Sequence, residues 1–225
     1  MKRVSILKSG DPMVVMADLD AQPGLEHLLW PDEVRRAQRF RRSKDRRRYV
    51  AGRGILRLLL GDLLMQDPAR VHIAITDHGK PVLGQSSPID FSVSRSGRTA
   101  LYAFTSAGDV GIDVEEIRTL DPIRLAQTCF SDAEQAELKT VDLESRLHTF
   151  FDGWVRKEAV VKADGRGLSL ALQSFTVTLR GEPRVTQFPL DGGARTWRLM
   201  EVEAGPAVKA ALAIRSNSEH QDGTS

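Results

Sequence analysis

The 225-residue chain has one cysteine, two tyrosines and three tryptophans. A single thiol, Cys129, cannot close an intramolecular disulfide, which excludes a disulfide-stapled scaffold and fits a reducing compartment. A lone cysteine is more often a small core residue than a nucleophile, so no role follows for it. No stretch approaches the 18 or so apolar residues that a membrane-spanning helix needs. The opening segment, Met1 to Val15, has basic residues but no apolar run fit for a signal-peptide core. The expectation is a soluble, cytoplasmic protein that engages no membrane. An excess of either charge is also missing: a net +2 excludes a global field that would draw the molecule onto nucleic acid, so any such affinity must be local.

What is present is an ordinary globular composition, 41% apolar, in a length that suits one large domain or two small ones. Charge is unevenly spread. From Arg35 to Arg57 basic residues run against a single acid, Asp45, while acids gather from Asp109 to Glu116 and from Asp132 to Glu144. Patterning predicts a strand at 13–17, a helix opening at Pro31 or Asp32, and a longer helix over 44–64 whose leucines supply a core face. Strands follow at 71–75, 91–94 and 99–104, separated by turn signals at His78-Gly79-Lys80-Pro81 and Ser96-Gly97. The second half repeats this order. A strand at 110–115 precedes a capping-box helix start, Ser131 with Glu134 three residues on, and a long helix over 143–163. Alternation then puts Phe175, Val177 and Leu179 on one strand face, before strands at 197–202 and 208–214.

The fold class expected is therefore α+β, built as two similar subdomains. The first spans 1–106 and the second 107–215, joined near 106–109. A polar tail over 216–225 reads as disordered.

Two segments carry chemistry. In Val110-Gly111-Ile112-Asp113-Val114-Glu115, strand period puts Asp113 and Glu115 on one face and Ile112 and Val114 on the other. Two converging carboxylates repel unless a cation sits between them, and hard oxygen ligands suit Mg²⁺; a solvated strand face is the plain alternative. In Phe151 to Lys162, helical spacing lines up Phe151, Trp154 or Val155, Glu158 and Lys162. A carboxylate on so apolar a stripe is costly unless it is paired or bound to metal. Its plain alternative is an exposed Glu–Lys pair.

Together the two segments carry a resemblance. Gly111-Ile112-Asp113-Val114-Glu115, followed about forty residues on by Trp154-Val155-Arg156-Lys157-Glu158-Ala159 and Lys162, resembles the paired signature of the surfactin-synthetase-type 4'-phosphopantetheinyl transferases. Gly79-Lys80-Pro81, Phe91-Ser92-Val93-Ser94 and Gly165-Arg166-Gly167-Leu168-Ser169 extend the match. The length suits the two-lobed monomeric form, with a pseudo-twofold and the active site between the lobes. The resemblance implies transfer of the phosphopantetheine arm of coenzyme A to a serine of an acyl or peptidyl carrier protein. It implies that Asp113, Glu115 and Glu158 hold Mg²⁺, with Mn²⁺ able to replace it. Glu158 would take the serine proton, directly or through water, and Lys162 would contact the phosphate. Arg36, Arg48 and Lys80 would grip the 3'-phosphate and adenine end, with Arg53 and Arg47 less clearly matched, and Pro81 and Ser94 would line the ligand. One departure stands out: Arg95 lies between Ser94 and Ser96 where the family has His, which keeps a phosphate donor but removes a group that titrates near neutrality. Two rivals remain, a catalytically impaired coenzyme A-binding homologue and a nucleic-acid binder using Arg35–Arg57. The second has only Phe40 and Tyr49 to offer as stacking partners.

Overall fold

The computed structural model describes residues 2–3, 12–22, 24–84, 86–189 and 195–217. Strands β1 (Lys2–Arg3) and β2 (Met13–Asp18) precede helices α1 (Pro31–Gln38) and α2 (Ser43–Leu64). Then come β3 (Ile73–Ile75), β4 (Pro81–Leu83), β5 (Asp90–Ser96) and β6 (Thr99–Thr105). The second half opens with β7 (Asp109–Glu116), continues through α3 (Pro122–Cys129), α4 (Asp132–Thr140) and α5 (Leu143–Asp164), and closes with β8 (Thr176–Val177), β9 (Val185–Gln187), β10 (Arg195–Glu201) and β11 (Val208–Asn217). The fold is α+β, as expected from the patterning.

The two halves repeat one plan. The first sheet runs β1-β2-β6-β5 and the second β10-β11-β7, so β7, β11 and β10 stand where β2, β6 and β5 do. Each sheet carries a 22-residue helix, α2 or α5, on one face. The other faces meet: Val14, Leu101 and Ala103 pack with Val110, Ile112, Val114, Leu212 and Ile214 in a shared core.

Between the lobes the edge strands β5 and β7 are joined by side chains. Asp90 accepts from Val110 N at 2.7 Å, Ser92 Oγ from Ile112 N at 3.1 Å and Ser96 Oγ from Glu116 N at 2.9 Å. Each pair is twenty residues apart in sequence, so the strands run side by side in one direction with short polar side chains bridging the gap. Every second residue of Asp90-Phe91-Ser92-Val93-Ser94-Arg95-Ser96 thus faces β7, while Phe91 enters the first core.

The repeat reaches single residues, which the sequence order did not disclose. Glu33, three residues past the α1 N-cap, accepts from Trp30 N at 2.9 Å and receives Arg57 of α2. Glu134, in the same place on α4, accepts from Ser131 N at 2.7 Å and receives Lys157 of α5. Arg57 and Lys157 each stand fourteen residues beyond the first residue of their helix. All four side chains are buried. Each lobe therefore locks its short helix to its long one by letting the capping carboxylate do double duty.

Several expectations are corrected. The first helix begins at Pro31 with Trp30 as its cap, and Asp32 is inside it. Helix α3 and strand β4 were not expected: Asp121 caps α3 through Arg124 N at 3.1 Å, and Pro81 begins a strand directly after the turn. The 175–179 alternation holds in burial, yet only Thr176–Val177 pair as strand. Ser216 and Asn217 belong to β11 and are not part of a tail; the rest of the expected tail, 218–225, lies outside the described residues.

Cys129 is buried, donates to Leu125 O at 3.1 Å, and burial pushes its thiol up to about 12. Folded protein at pH 8 is expected to resist a maleimide that labels it within minutes once denatured; rapid labelling in the native state would contradict this placement.

Candidate active site

Strand β7 presents alternate residues to α5. Gly111 makes the closest approach: a Cβ there would lie 1.9 Å from Ala159 O and 2.4 Å from Ala163 N, so only glycine lets the helix sit this low on the strand. That contact puts the next residue on the same face, Asp113, beside Lys162. Asp113 Oδ1 accepts from Lys162 Nζ at 2.7 Å and from Ser94 Oγ at 2.8 Å. Lys162 Nζ also donates to Ser94 Oγ at 2.9 Å and to Ile112 O at 3.1 Å. Asp113 Oδ2 is buried with no hydrogen-bond partner among the described residues. Glu115, two residues on, accepts from Ser96 Oγ at 2.9 Å.

Glu158 lies one helical turn before Lys162, half-buried. Burial holds its carboxyl above the usual glutamate range; the charges of Asp113 and Glu115 push the same way and Lys162 opposes them. The plain alternative, an exposed Glu158–Lys162 pair, does not form: the lysine goes to Asp113. The apolar stripe also divides, because Phe151 and Trp154 pack with Phe130 and Phe150 in a helical core while Glu158, Val161 and Lys162 turn to a cavity. Among the described residues no three Asp, Glu, His or Cys side chains stand close enough to hold a metal ion as they are.

The cavity, about 450 Å³, lies between the lobes. Gly79, Lys80, Pro81, Ser92 and Val93 form one wall; Glu158, Lys162 and the Gly165–Gln173 segment form the other. A second cavity of about 230 Å³ meets the first at Gly79, Pro81 and Val93. Arg36, Arg53 and Arg95 line it around Tyr49. The Arg36 and Arg95 guanidiniums lie 5.7 and 5.8 Å from the Tyr49 ring centre, and neither has a carboxylate partner among the described residues. Arg95 reaches this cavity across Gly52, whose missing side chain leaves it room. Arg53 is held by Glu33 at 2.6 Å.

Not every expected residue converges here. Lys80 lines the larger cavity but its ammonium is bonded to Asp90 at 2.8 Å and to Val110 O at 3.2 Å, where it ties the lobes together. Arg48 lines neither cavity: it grips Asp20 through two 2.7 Å bonds and pulls that carboxyl down to about 2. Arg47 faces a separate surface hollow with Leu19 and Lys44. The helix that carries Arg47, Arg48 and Arg53 turns by 100° per residue, so a basic run in sequence cannot share one face. Lys157 was missed as a functional position because its role is structural, and no periodicity signals a buried partner 23 residues earlier.

The lobes are not equivalent as sites. Where β7 shows Gly111, Asp113 and Glu115 to its helix, β2 shows the apolar Met13, Val15 and Ala17. The α2 positions matching Glu158 and Lys162 are Leu58 and Asp62.

A cleft with guanidiniums at one end and, at the other, Glu158 and a lysine held by the buried Asp113 suits an elongated anionic ligand. Comparison with known proteins gives the family. Residues 109–213 match the 4'-phosphopantetheinyl transferase superfamily model, and residues 24–107 match the model described as 4'-phosphopantetheinyl transferase, N-terminal. The chain is 36% identical over 195 residues to the 4'-phosphopantetheinyl transferase HetI of Nostoc sp., covering 84% of this chain and 80% of that one. It is 29% identical to the 4'-phosphopantetheinyl transferase Sfp of Bacillus subtilis, with 71% and 70% covered. To the 4'-phosphopantetheinyl transferase AcpT of Salmonella typhimurium it is 36% identical, with 72% and 75% covered. The chain belongs to the 4'-phosphopantetheinyl transferase superfamily.

Proposed function

We propose that this protein moves the 4'-phosphopantetheine arm of coenzyme A onto a serine of an acyl or peptidyl carrier protein, with Mg²⁺, or Mn²⁺ in its place. The observation that carries the reading is the meeting of Glu158, Lys162 and Asp113 beside a cleft whose far end gathers Arg36, Arg53 and Arg95.

The ligand would lie along both cavities. Arg36 and Arg95, lacking carboxylate partners, suit the 3'-phosphate and adenosine end, since a guanidinium donates two bonds to a phosphate. Arg53 is the weaker candidate, being engaged by Glu33, and Lys80 and Arg48 are already paired. The larger cavity, with Pro81, Val93, Val161 and Leu170, suits the pantetheine chain. Domain roles follow: the 1–106 half would grip the nucleotide and the 107–215 half would carry the reacting groups.

The chemistry of the donor set, three carboxylates, suits a hard cation once the side chains draw closer than they stand. Asp113 has an orphaned buried oxygen, Glu115 is two residues away on the same face, and Glu158 is crowded by both. Asp113, Glu115 and Glu158 would hold the ion, whose chemistry is to screen the diphosphate and orient the phosphorus. The chain's own groups do the rest. Glu158 accepts the serine proton as the serine oxygen bonds to the phosphorus bearing pantetheine. The bond from that phosphorus to the bridging oxygen breaks, and adenosine 3',5'-bisphosphate departs with its charge offset by Lys162. No covalent enzyme intermediate is needed, so positioning supplies most of the rate. The fold's work is to keep β7 and α5 in register.

The test incubates the protein with coenzyme A, Mg²⁺ and a panel of apo carrier proteins, and reads carrier mass. One phosphopantetheine is expected per carrier domain, and none after chelation. An unchanged mass across acyl and peptidyl carriers would refute the proposed activity.

A further inference from the structure

Lys162 is arranged like a bound cation. An ammonium has three protons and no lone pair, and here it meets three oxygens: Asp113 Oδ1 at 2.7 Å, Ser94 Oγ at 2.9 Å and Ile112 O at 3.1 Å. Two of these come from β7 and one from β5, so the site spans both lobes. Asp113 is fixed in place by burial, with 5% of its side chain exposed, whereas Lys162 retains 29% on the cavity side and has a flexible stem. The anion cannot leave and the cation can.

We propose that Lys162 is a built-in placeholder for the divalent ion. In the ligand-free enzyme its ammonium neutralises Asp113 and so suppresses binding of metal alone. When the anionic ligand arrives, the ammonium swings about its stem into the cavity toward the phosphates, and Asp113 is released to the ion. Metal and diphosphate therefore enter together, and the acidic cluster does not fill with metal in the resting enzyme. The physical basis is competition of two cations for one buried carboxylate, which attracts either of them most strongly at contact distance. The inference rests on the reading of Asp113, Glu115 and Glu158 as the ion's ligands.

The experiment measures Mn²⁺ binding by paramagnetic resonance or calorimetry, without coenzyme A, for the wild type, Lys162→Met and Lys162→Arg, with thermal melts as a check on folding. Lys162→Met is expected to bind Mn²⁺ alone at least tenfold more tightly than wild type, and Lys162→Arg, which keeps the charge, no more tightly. Equal or weaker binding by Lys162→Met would overturn the placeholder. If Mn²⁺ binds to none of the three proteins even with coenzyme A present, the carboxylate site itself is refuted. If wild type binds it with coenzyme A while Lys162→Met shows no gain without, only the placeholder fails.

Discussion

Glu158→Gln is expected to lower carrier modification by about 10²- to 10⁴-fold, the range associated with a lost general base. Glutamine keeps the shape of the side chain and loses its charge and its ability to take a proton. The loss should appear in kcat with coenzyme A present at saturation. Stability is expected to move the other way. Burial and the neighbouring Asp113 raise the Glu158 carboxyl in the folded protein, so the fold binds its proton more tightly than the unfolded chain does. Without a metal, the ionised form then destabilises the fold as pH rises through and above the ordinary glutamate range. Removing the charge should leave the metal-free melting temperature at neutral pH equal or higher. Full activity in Glu158→Gln would sink the assignment of the base. Lost activity with a collapsed melting temperature would show that the residue serves the fold instead.

Lys157→Ala is expected to cost about 3–5 kcal/mol, the range for breaking a buried ion pair from one side. Its ammonium donates to Glu134 Oε1 at 2.8 Å, Glu134 Oε2 at 2.6 Å and Phe175 O at 2.7 Å, and it sits 4.3 Å from the Phe175 ring centre. Glu134 also caps α4 and accepts from Val177 N at 2.7 Å. Alanine would leave that carboxylate buried without its cation, and a loss of this size is a large share of the 5–15 kcal/mol that a typical domain has. The double variant Lys157→Met with Glu134→Gln should recover much of the loss, because neither buried charge remains and the volume is filled. Chemical denaturation of the three proteins checks this. A Lys157→Ala loss under 1 kcal/mol would contradict the anchoring role.

The β7–α5 half of the candidate site was legible because its geometry is local. Strand alternation alone places Asp113 and Glu115 together and separates them from Ile112 and Val114, and these do fill the shared core. Helical spacing alone places Glu158 and Lys162 on one side of α5. The capping box at Ser131 was equally local, since a cap is satisfied within four residues. The basic half was read less well. Arg36, Arg53 and Arg95 reach one cavity and Arg48 does not, and nothing in the run of arginines distinguishes them. Their fates depend on which acids the fold brings near, Glu33 for Arg53 and Asp20 for Arg48.

By itself, the sequence determined the α+β order of elements, the faces of β7 and α5, and the two segments, 111–115 and 154–162, that carry the resemblance to the family. These follow from periods of two and 3.6 residues, which short-range sterics impose on any chain. Only the tertiary structure decided that Lys162 goes to Asp113 and not to Glu158, that Ser92 and Ser96 bridge two sheet edges, and that both lobes bury a capping glutamate against a cation of the long helix. Those choices join residues from 20 to 49 positions apart. Which partner a charge finds at such range is set by the burial that makes an unpaired charge costly, and burial is a property of the packed lobes.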